Sequence, residues 1–341
     1  MISESEFTVK GHGVHTAYIE TVNGLEKAGI DVLSNSSESG DIRHIHTVGF
    51  YALLQFFKPG KKVISAHLLP ESFLGSLVAA KYWLFAAKGY LRWFYNRADL
   101  VIAVSEFTKQ ELLKIGVKKP IVTITNMVDT TRFSEKKKDK SILREKYGYK
   151  PDDWIIVGNG QVQPRKRVDT FLRLADELPS FQFLWIGGIP FKKLASESER
   201  MEQSMESSPS NCKFTGVVPL EQVPDYYAMA DVFFLPSEQE TFCIAVIEGA
   251  ASGLPVVLRN ISDYDFTFKG DALLGDESEF KSILTSLKED PALYAKYQKR
   301  AENIARRYDA AATTQNLIRA YETLLKHSPS EVQGKFDAEF D

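Results

Sequence analysis

Across its 341 residues the chain carries only two cysteines, Cys212 and Cys243, far apart in sequence. That excludes a disulfide-stapled scaffold and fits a reducing compartment. No run approaches the ~20 consecutive apolar residues that a transmembrane helix requires, and no charged-then-apolar leader opens the chain. The expectation is a protein that is soluble or lies on a surface. Internal repeats and low-complexity blocks are absent as well. Five of the six histidines (His12, His15, His44, His46 and His67) precede residue 68, but no carboxylate or cysteine joins them at ligand spacing, so no metal is expected.

What is present suits two ordinary α/β domains: 44% of the residues are hydrophobic, enough for two proper cores. The formal net charge of −3 hides an asymmetry. Residues 1–150 hold 22 Lys and Arg against 15 Asp and Glu, a surplus of seven, whereas the remainder holds 20 against 30. The first half is therefore expected to meet an anionic surface, either nucleic acid or an anionic membrane leaflet.

Apolar runs that end in glycine or histidine recur along the chain. In the first half, Val9–Val14 with Gly11 and Gly13 leads into a helical pattern from Thr16 to Ala28, although Met1–Phe7 is short for the first strand expected ahead of it. Asp41–Thr47 and Lys61–His67 read as buried strands, each ending in histidine. Asp99–Ser105 is another, with Ser105 placed to cap a helix over Glu106–Ile115. In the second half, Trp154–Gly160 and Phe181–Gly188 each run into glycine, and Gly187-Gly188 lets backbone approach a diphosphate. Catalytic groups in open parallel sheets gather at such carboxyl ends.

Between Glu71 and Arg97, helical spacing puts Lys81, Lys88 and Arg92 on one stripe beside Leu74, Leu77, Val78 and Phe85, with Trp83, Ala87, Tyr90 and Phe94 opposite. Lysines that meet lipid phosphates beside apolar groups that enter the acyl boundary make an interfacial membrane helix; the alternative is an ordinary amphipathic helix with solvated lysines.

The stretch Pro236–Pro255 lies between the strand-like runs Val232–Leu235 and Pro255–Leu258. Thr241–Ser252 has helix-forming composition, with Gly253 as its stop. Glu240 then sits at a helix mouth, and Glu248 lies about 12 Å further on at ~1.5 Å per residue. Such a mouth seats a diphosphate. A carboxylate there suits neutral sugar hydroxyls, and Glu248 suits the vicinal hydroxyls of a ribose.

This pair resembles the Glu-x7-Glu motif of the retaining, two-domain, nucleotide-sugar glycosyltransferases of family four. Gly216-Val-Val-Pro219, Asp225–Asp231, Pro236-Ser237, Glu240-Thr-Phe242 and Gly253-Leu-Pro-Val256 follow in the family's order. The resemblance implies the GT-B fold, in which two doubly wound Rossmann-like domains face a central cleft. On that template residues 1–150 form an acceptor-binding, membrane-facing domain and 151–305 the nucleotide-sugar domain. Residues 306–327 form a helix crossing back to the first domain, and 328–341 an acidic, frayed tail. Asp152-Asp153 is a plausible hinge.

The same resemblance assigns roles. His67, Lys166 and Glu240 are the catalytic expectations, with Lys166 clamping the leaving diphosphate. Donor contacts fall on Gly11, Gly13, Gln161, Arg165, Gly187, Gly188, Val217, Val218, Thr241, Phe242, Cys243 and Glu248. Gln161 stands where the family has arginine, which leaves compensation to Arg165 or Arg167; Cys243 stands where glycine is usual, and Met127 replaces a turn glycine. The motifs His67–Phe73, Asp41–His46 and Gly158–Arg167 look like those of Gram-positive bacterial enzymes that add a second hexose to monoglucosyl-diacylglycerol. The implied partners are a UDP-hexose, a glycolipid acceptor and an anionic membrane surface, with no nucleic acid, no cofactor and a peripheral place on the cytoplasmic face of the membrane. The alternatives are a transferase with a polysaccharide or soluble acceptor, and a non-catalytic nucleotide-sugar or membrane-recruitment module.

Overall fold

The computed structural model describes residues 1–7, 13–70, 80–134, 139–189, 198–327 and 329–340. The chain divides into two compact units, one running to Val128 and resuming at Tyr308, the other Asp129–Arg307.

The first unit holds β1 (Ile42–Ile45), β2 (Lys61–Ala66), β3 (Leu100–Ala103) and β4 (Ile121–Thr123), all parallel and in that order. Its helices are α1 (Gly13–Lys27), α2 (Phe50–Leu54), α3 (Ala80–Tyr95) and α4 (Glu106–Ile115), with α13 (Ala310–Lys326) and α14 (Pro329–Phe340) from the end of the chain. Both faces of the sheet are covered, so its strands alternate between two cores. Ile64, Val101 and Ala103 pack with Leu91 and Phe94 of α3 and Leu112 of α4, whereas Val63, Leu100 and Ile102 pack with Leu25, Leu317 and Leu324. Ser105 caps α4 by accepting from the Thr108 N–H at 3.1 Å, as its sequence position predicts. Among the described residues ahead of α1, Ile2 forms a bridge with Ile45 and exchanges hydrogen bonds with His44 and His46. Gly13 opens α1; Gly11 and the expected strand before it fall largely in residues 8–12, outside the described residues.

The second unit holds a six-stranded parallel sheet in the order β10-β9-β8-β5-β6-β7. Its strands are β5 (Ile155–Asn159), β6 (Gln182–Ile186), β7 (Cys212–Phe214), β8 (Val232–Leu235), β9 (Val256–Arg259) and β10 (Leu273–Gly275). Its helices are α5 (Thr131–Ser134), α6 (Lys140–Lys146), α7 (Val168–Glu177), α8 (Ser198–Glu206), α9 (Val223–Ala228), α10 (Ile244–Ala251), α11 (Phe280–Glu289) and α12 (Pro291–Arg307). The strand order reverses direction at β5 and β8, a switch point whose carboxyl ends are the natural place for a ligand.

Two expectations about the chain's organisation differ from what is observed. The division falls at Val128–Asp129 rather than near residue 150, because α6 belongs to the second unit. Arg144 pairs with Asp231 at 2.6 Å and donates to the Met229 carbonyl, and Lys140 pairs with the same aspartate. The acidic tail is not frayed: α14 buries Val332 and Phe336 in the core of the first unit, and Gln333 Oε1 accepts the Ile121 N–H of edge strand β4 at 2.9 Å. Two apolar residues at i, i+4 suffice to dock a helix whose composition looks solvated.

Removing the Phe336 ring leaves a void in a closed core, at a cost of about 3 kcal/mol. Phe336→Ala is expected to lower the midpoint of urea unfolding, read by circular dichroism, whereas Lys335→Ala on the exposed side of the same helix leaves it unchanged.

Candidate active site

Three glycine turns gather at the carboxyl ends of β5, β6 and β7. Gly160 follows β5 with φ +148°, and a Cβ there would lie 3.2 Å from Lys166 Cε. Gly187, at φ +126°, passes so close that a Cβ would sit 2.2 Å from the Gly160 carbonyl. Only glycine permits that crossing. Gly187 also bridges to Gly216, and its N–H donates to Thr215 Oγ1 at 3.2 Å. Beside this bridge Val217 is exposed and Val218 half-buried.

The loop after β5 then turns through Pro164–Lys166 and Arg167, whose φ of +49° puts a non-glycine residue in the left-handed region. This bend is held by Arg167 pairing with Asp169 and Glu238, and by the Glu238 N–H donating to the Arg165 carbonyl at 2.8 Å. The basic loop is thereby laid along the loop that follows β8. Lys166, buried, meets Glu240 Oε1 at 2.5 Å, and Arg165 meets Glu240 Oε2 at 3.3 Å. Burial pushes the Glu240 carboxyl up, but Lys166 and then Arg165 outweigh it and hold it below the usual carboxylate value. The Glu240 N–H donates to Asp263 Oδ2 at 2.7 Å; burial, and then the Glu240 charge, raise the Asp263 carboxyl.

Gln161 enters this cluster through a relay: Gln163 Nε2 donates to Gln161 Oε1 at 2.8 Å, and Arg165 Nε donates to Gln163 Oε1 at 3.1 Å. Gln161 Nε2 is buried without a hydrogen-bond partner among the described residues. Of the two arginines that sequence offers in place of a cation at 161, the structure puts Arg165 on Glu240 and turns Arg167 toward Asp169 and Glu238.

The helix after β8 begins three residues later than its composition suggests, at Ile244, with Cys243 as N-cap. Thr241 and Phe242 are half-buried in the approach loop, and the Phe242 ring lies 6.1 Å from that of Phe268. Burial drives the Cys243 thiol up to about 11, which leaves it unreactive. Gly249 lets α10 lie against Phe233 of β8, since a Cβ there would come within 2.8 Å of the ring. That close packing puts the buried Glu248 carboxylate at the end of β5, where it accepts from Asn159 Nδ2 at 3.1 Å and the Tyr227 hydroxyl at 3.0 Å. Asn159, Tyr227 and Asp263 were not singled out from sequence. Asn159 sits inside the glycine turn and Tyr227 inside the 225–231 motif, both already flagged; Asp263 follows β9 with no comparable signal.

In the first unit the two strand-ending histidines meet. His46 and His67 stack with ring centroids 5.3 Å apart, and His46 Nδ1 lies 3.1 Å from His67 Nε2. Behind them His44 bonds Ser65 Oγ at 2.7 Å and the Tyr321 hydroxyl at 2.6 Å. Burial holds His44 and His46 well below the usual imidazole value, so both are neutral. On α3, Phe85, Lys88 and Arg92 are exposed, Ala87 and Phe94 are buried and Tyr90 is half-buried; the side chains of Lys81 and Trp83 lie outside the described residues.

Comparison with known proteins gives these positions a context. Residues 37–132 match the family model described as Glycosyltransferase Family 4, and residues 139–304 match that described as Glycosyl transferases group 1. Over 332 residues the chain is 34% identical to the alpha-galactosylglucosyldiacylglycerol synthase of Streptococcus pneumoniae, covering 94% of this chain and 88% of that protein. It is 26% identical over 286 residues to the processive diacylglycerol alpha-glucosyltransferase of Acholeplasma laidlawii, covering 82% and 84%. Among solved structures, Anabaena HepE in complex with UDP and glucose matches with a TM-score of 0.74 at 17% identity, covering 94% of this chain and 98% of that one. WaaG, a glycosyltransferase involved in lipopolysaccharide biosynthesis, matches with a TM-score of 0.67 at 15% identity and the same coverages. At such identities the structural likeness speaks to fold alone, the GT-B architecture of paired parallel-sheet α/β units.

The neutral histidine array makes stability pH-dependent. The unfolded chain binds protons on these imidazoles near 6.5 while the folded chain does not, so their contribution is complete above 6.5 and is lost as pH falls. Urea midpoints measured from pH 8 downward are expected to drop below pH 6.5, and His46→Gln is expected to flatten that drop.

Proposed function

The chain belongs to glycosyltransferase family four, and from that premise we propose that it is a retaining α-hexosyltransferase that moves glucose or galactose from a UDP-sugar to a membrane glycolipid. The acceptor we favour is monoglucosyl-diacylglycerol, which yields a dihexosyl-diacylglycerol. The observation that carries this reading is the cluster of buried Lys166 and Glu240 with half-buried Arg165 beside glycine turns, with Glu248 held by Asn159 and Tyr227 nearby. Cations, close backbone and two carboxylates are the groups that a nucleoside diphosphate linked to a sugar requires.

In the proposed reaction the bond between the sugar's anomeric carbon and the diphosphate oxygen breaks as a bond to the acceptor oxygen forms on the same face, and the acceptor's proton passes to a phosphate oxygen. Charge builds on the departing diphosphate while the sugar becomes oxocarbenium-like. Stabilising that charge is therefore the largest catalytic contribution asked of the protein. Lys166, with Arg165, is assigned this task. Both hold Glu240, so a diphosphate would share cations already in place and little reorganisation is needed. Glu240 is assigned to hexose hydroxyls and Glu248 to the ribose, its carboxylate aimed by Asn159 and Tyr227. Val217 and Val218 are assigned to the uracil, Gly187 and Gly188 to the diphosphate, and Gln161 lends its unpartnered amide to the donor. Thr241, Phe242 and Cys243 carry the chain from Glu240 into α10 and are assigned contacts to the transferred sugar. His67, and Gly11 and Gly13, are assigned to the first unit's share of the reaction. Because the positive charge is built from side chains, the mechanism asks for no metal ion.

For a lipid acceptor, support comes from the names of the Streptococcus and Acholeplasma relatives and from the basic surplus of residues 1–150. Among the described residues no helix is long and apolar enough to cross a membrane. We assign membrane contact to Lys81, Phe85, Lys88 and Arg92, with the protein resting peripherally on the cytoplasmic face.

UDP release from UDP-glucose and UDP-galactose, measured with monoglucosyl-diacylglycerol vesicles, is expected to fall about 10²–10³-fold in Lys166→Ala and in Glu240→Ala. Undiminished turnover in both would remove the site assignment. In co-sedimentation, Lys81/Lys88/Arg92→Glu is expected to release the protein from anionic vesicles, as added salt does for the wild type; unchanged binding would remove that stripe.

A further inference from the structure

The basic stripe of α3 leaves another feature of the first unit unexplained. Three large apolar side chains on one short helical segment face solvent: Phe50 is 75% exposed, Leu54 44% and Phe57 86%. They stand at i, i+4 and i+7 along α2 and the 3₁₀ turn Gln55–Phe57 that continues it, so they share one face. The opposite face is fully used: Ala52 and Gln55 are buried, and Phe56 packs edge-on against Phe94 of α3 at 5.0 Å.

This segment is also held rigidly. Glu4 Oε1 accepts the N–H groups of Tyr51 and Ala52 at its start, and Tyr90 of α3 donates its hydroxyl to the Val48 carbonyl. A helix anchored at both its first turn and its inner face does not expose phenylalanines by loose packing. Contiguous exposed apolar side chains of this size mark a contact surface.

Charge identifies the partner. Between Val48 and Ala98 the sequence has seven basic residues, among them Lys58 and Lys61 just past Phe57, and one acidic residue, Glu71; Lys62 beside them is buried and donates to the Lys58 and Gly60 carbonyls. Aromatic groups bordered by lysines are suited to a surface with an apolar interior and anionic headgroups. We propose that Phe50, Leu54 and Phe57 form a second lipid-inserting element, which enters an anionic membrane surface alongside α3. The inference deepens the peripheral-membrane reading and rests on it. With two anchors rather than one, binding would fix the orientation of the first unit on the bilayer as well as its presence there.

The test uses the full chain and vesicles of phosphatidylglycerol mixed with phosphatidylcholine. Because all three side chains are exposed, Phe50→Ser, Leu54→Ser and Phe57→Ser can be combined without opening a core. The triple variant is expected to bind these vesicles at least about tenfold more weakly, while UDP release with a detergent-dispersed acceptor is unchanged. Since Cys212 and Cys243 are both buried, a Phe57→Cys variant takes an environment-sensitive dye at the new thiol alone. Its emission is expected to shift to the blue on adding anionic vesicles. Wild-type binding together with no dye shift and undiminished binding of the triple variant would overturn this proposal while leaving the α3 stripe standing. Failure of the wild type to bind at all would overturn both. A lipid-free dimer abolished by the same three substitutions would assign the face to a second copy of the chain and overturn the lipid reading.

Discussion

A buried cation and a buried anion within hydrogen-bond distance tie two loops of the second unit to one another. Lys166 and Glu240 are each almost wholly withdrawn from water and meet at 2.5 Å. Neither is tolerable alone, since an uncompensated buried charge costs several kcal/mol. The loop after β5 and the loop after β8 must therefore be built around one another. The features nearby serve this end. Gly160 makes room for the lysine stem, Arg167 takes a left-handed bend so that Lys166 turns inward, and Asp263 ties down the Glu240 backbone. Such a pair is weak evidence for stability, because well-packed apolar residues would do as well. In the proposed reaction the same cations would serve the departing diphosphate.

The first unit answers the same problem of polar groups at strand ends in the opposite way. Its strands β1 and β2 lead into imidazoles rather than ions, and burial keeps His44 and His46 neutral. Neutral rings can donate and accept without a counter-charge, so His44 can link β2 to α13 through Ser65 and Tyr321, and His46 can lie against His67. The ends of β1 and β2 are thus polar and uncharged, whereas the loops after β5 and β8 concentrate charge.

Much of this was legible in order along the chain. Apolar runs ending in glycine marked β5 and β6, because a strand buried on both faces has no polar alternation to confuse the reading, whereas β1 and β2, which carry Arg43, His44, Lys61 and Lys62, were marked by their terminal histidines. Ser105 announced α4 for an equally local reason, since a hydroxyl at an N-cap satisfies a donor three residues on. Position 128–129, where the units divide, was not legible, because nothing local distinguishes α6 from a linker helix. Its membership depends on Asp231, some ninety residues away, meeting Arg144 and Lys140. The tail misled for a related reason: its acidic composition masked Val332 and Phe336, and only a groove beside β4 gives two apolar residues somewhere to go.

The sequence alone determined the class of fold, the residue types at the strand ends and the spacing of Glu240 and Glu248, since these follow from periodicity and from what each side chain can do within a few residues of itself. Tertiary structure decided which of those groups meet. Arg165 rather than Arg167 reaches Glu240 because of one left-handed residue, and Glu248 finds Asn159 and Tyr227 because a glycine lets α10 lie against β8. Partners separated by 20 to 90 residues are chosen by packing and desolvation, and neither leaves a mark in the local sequence.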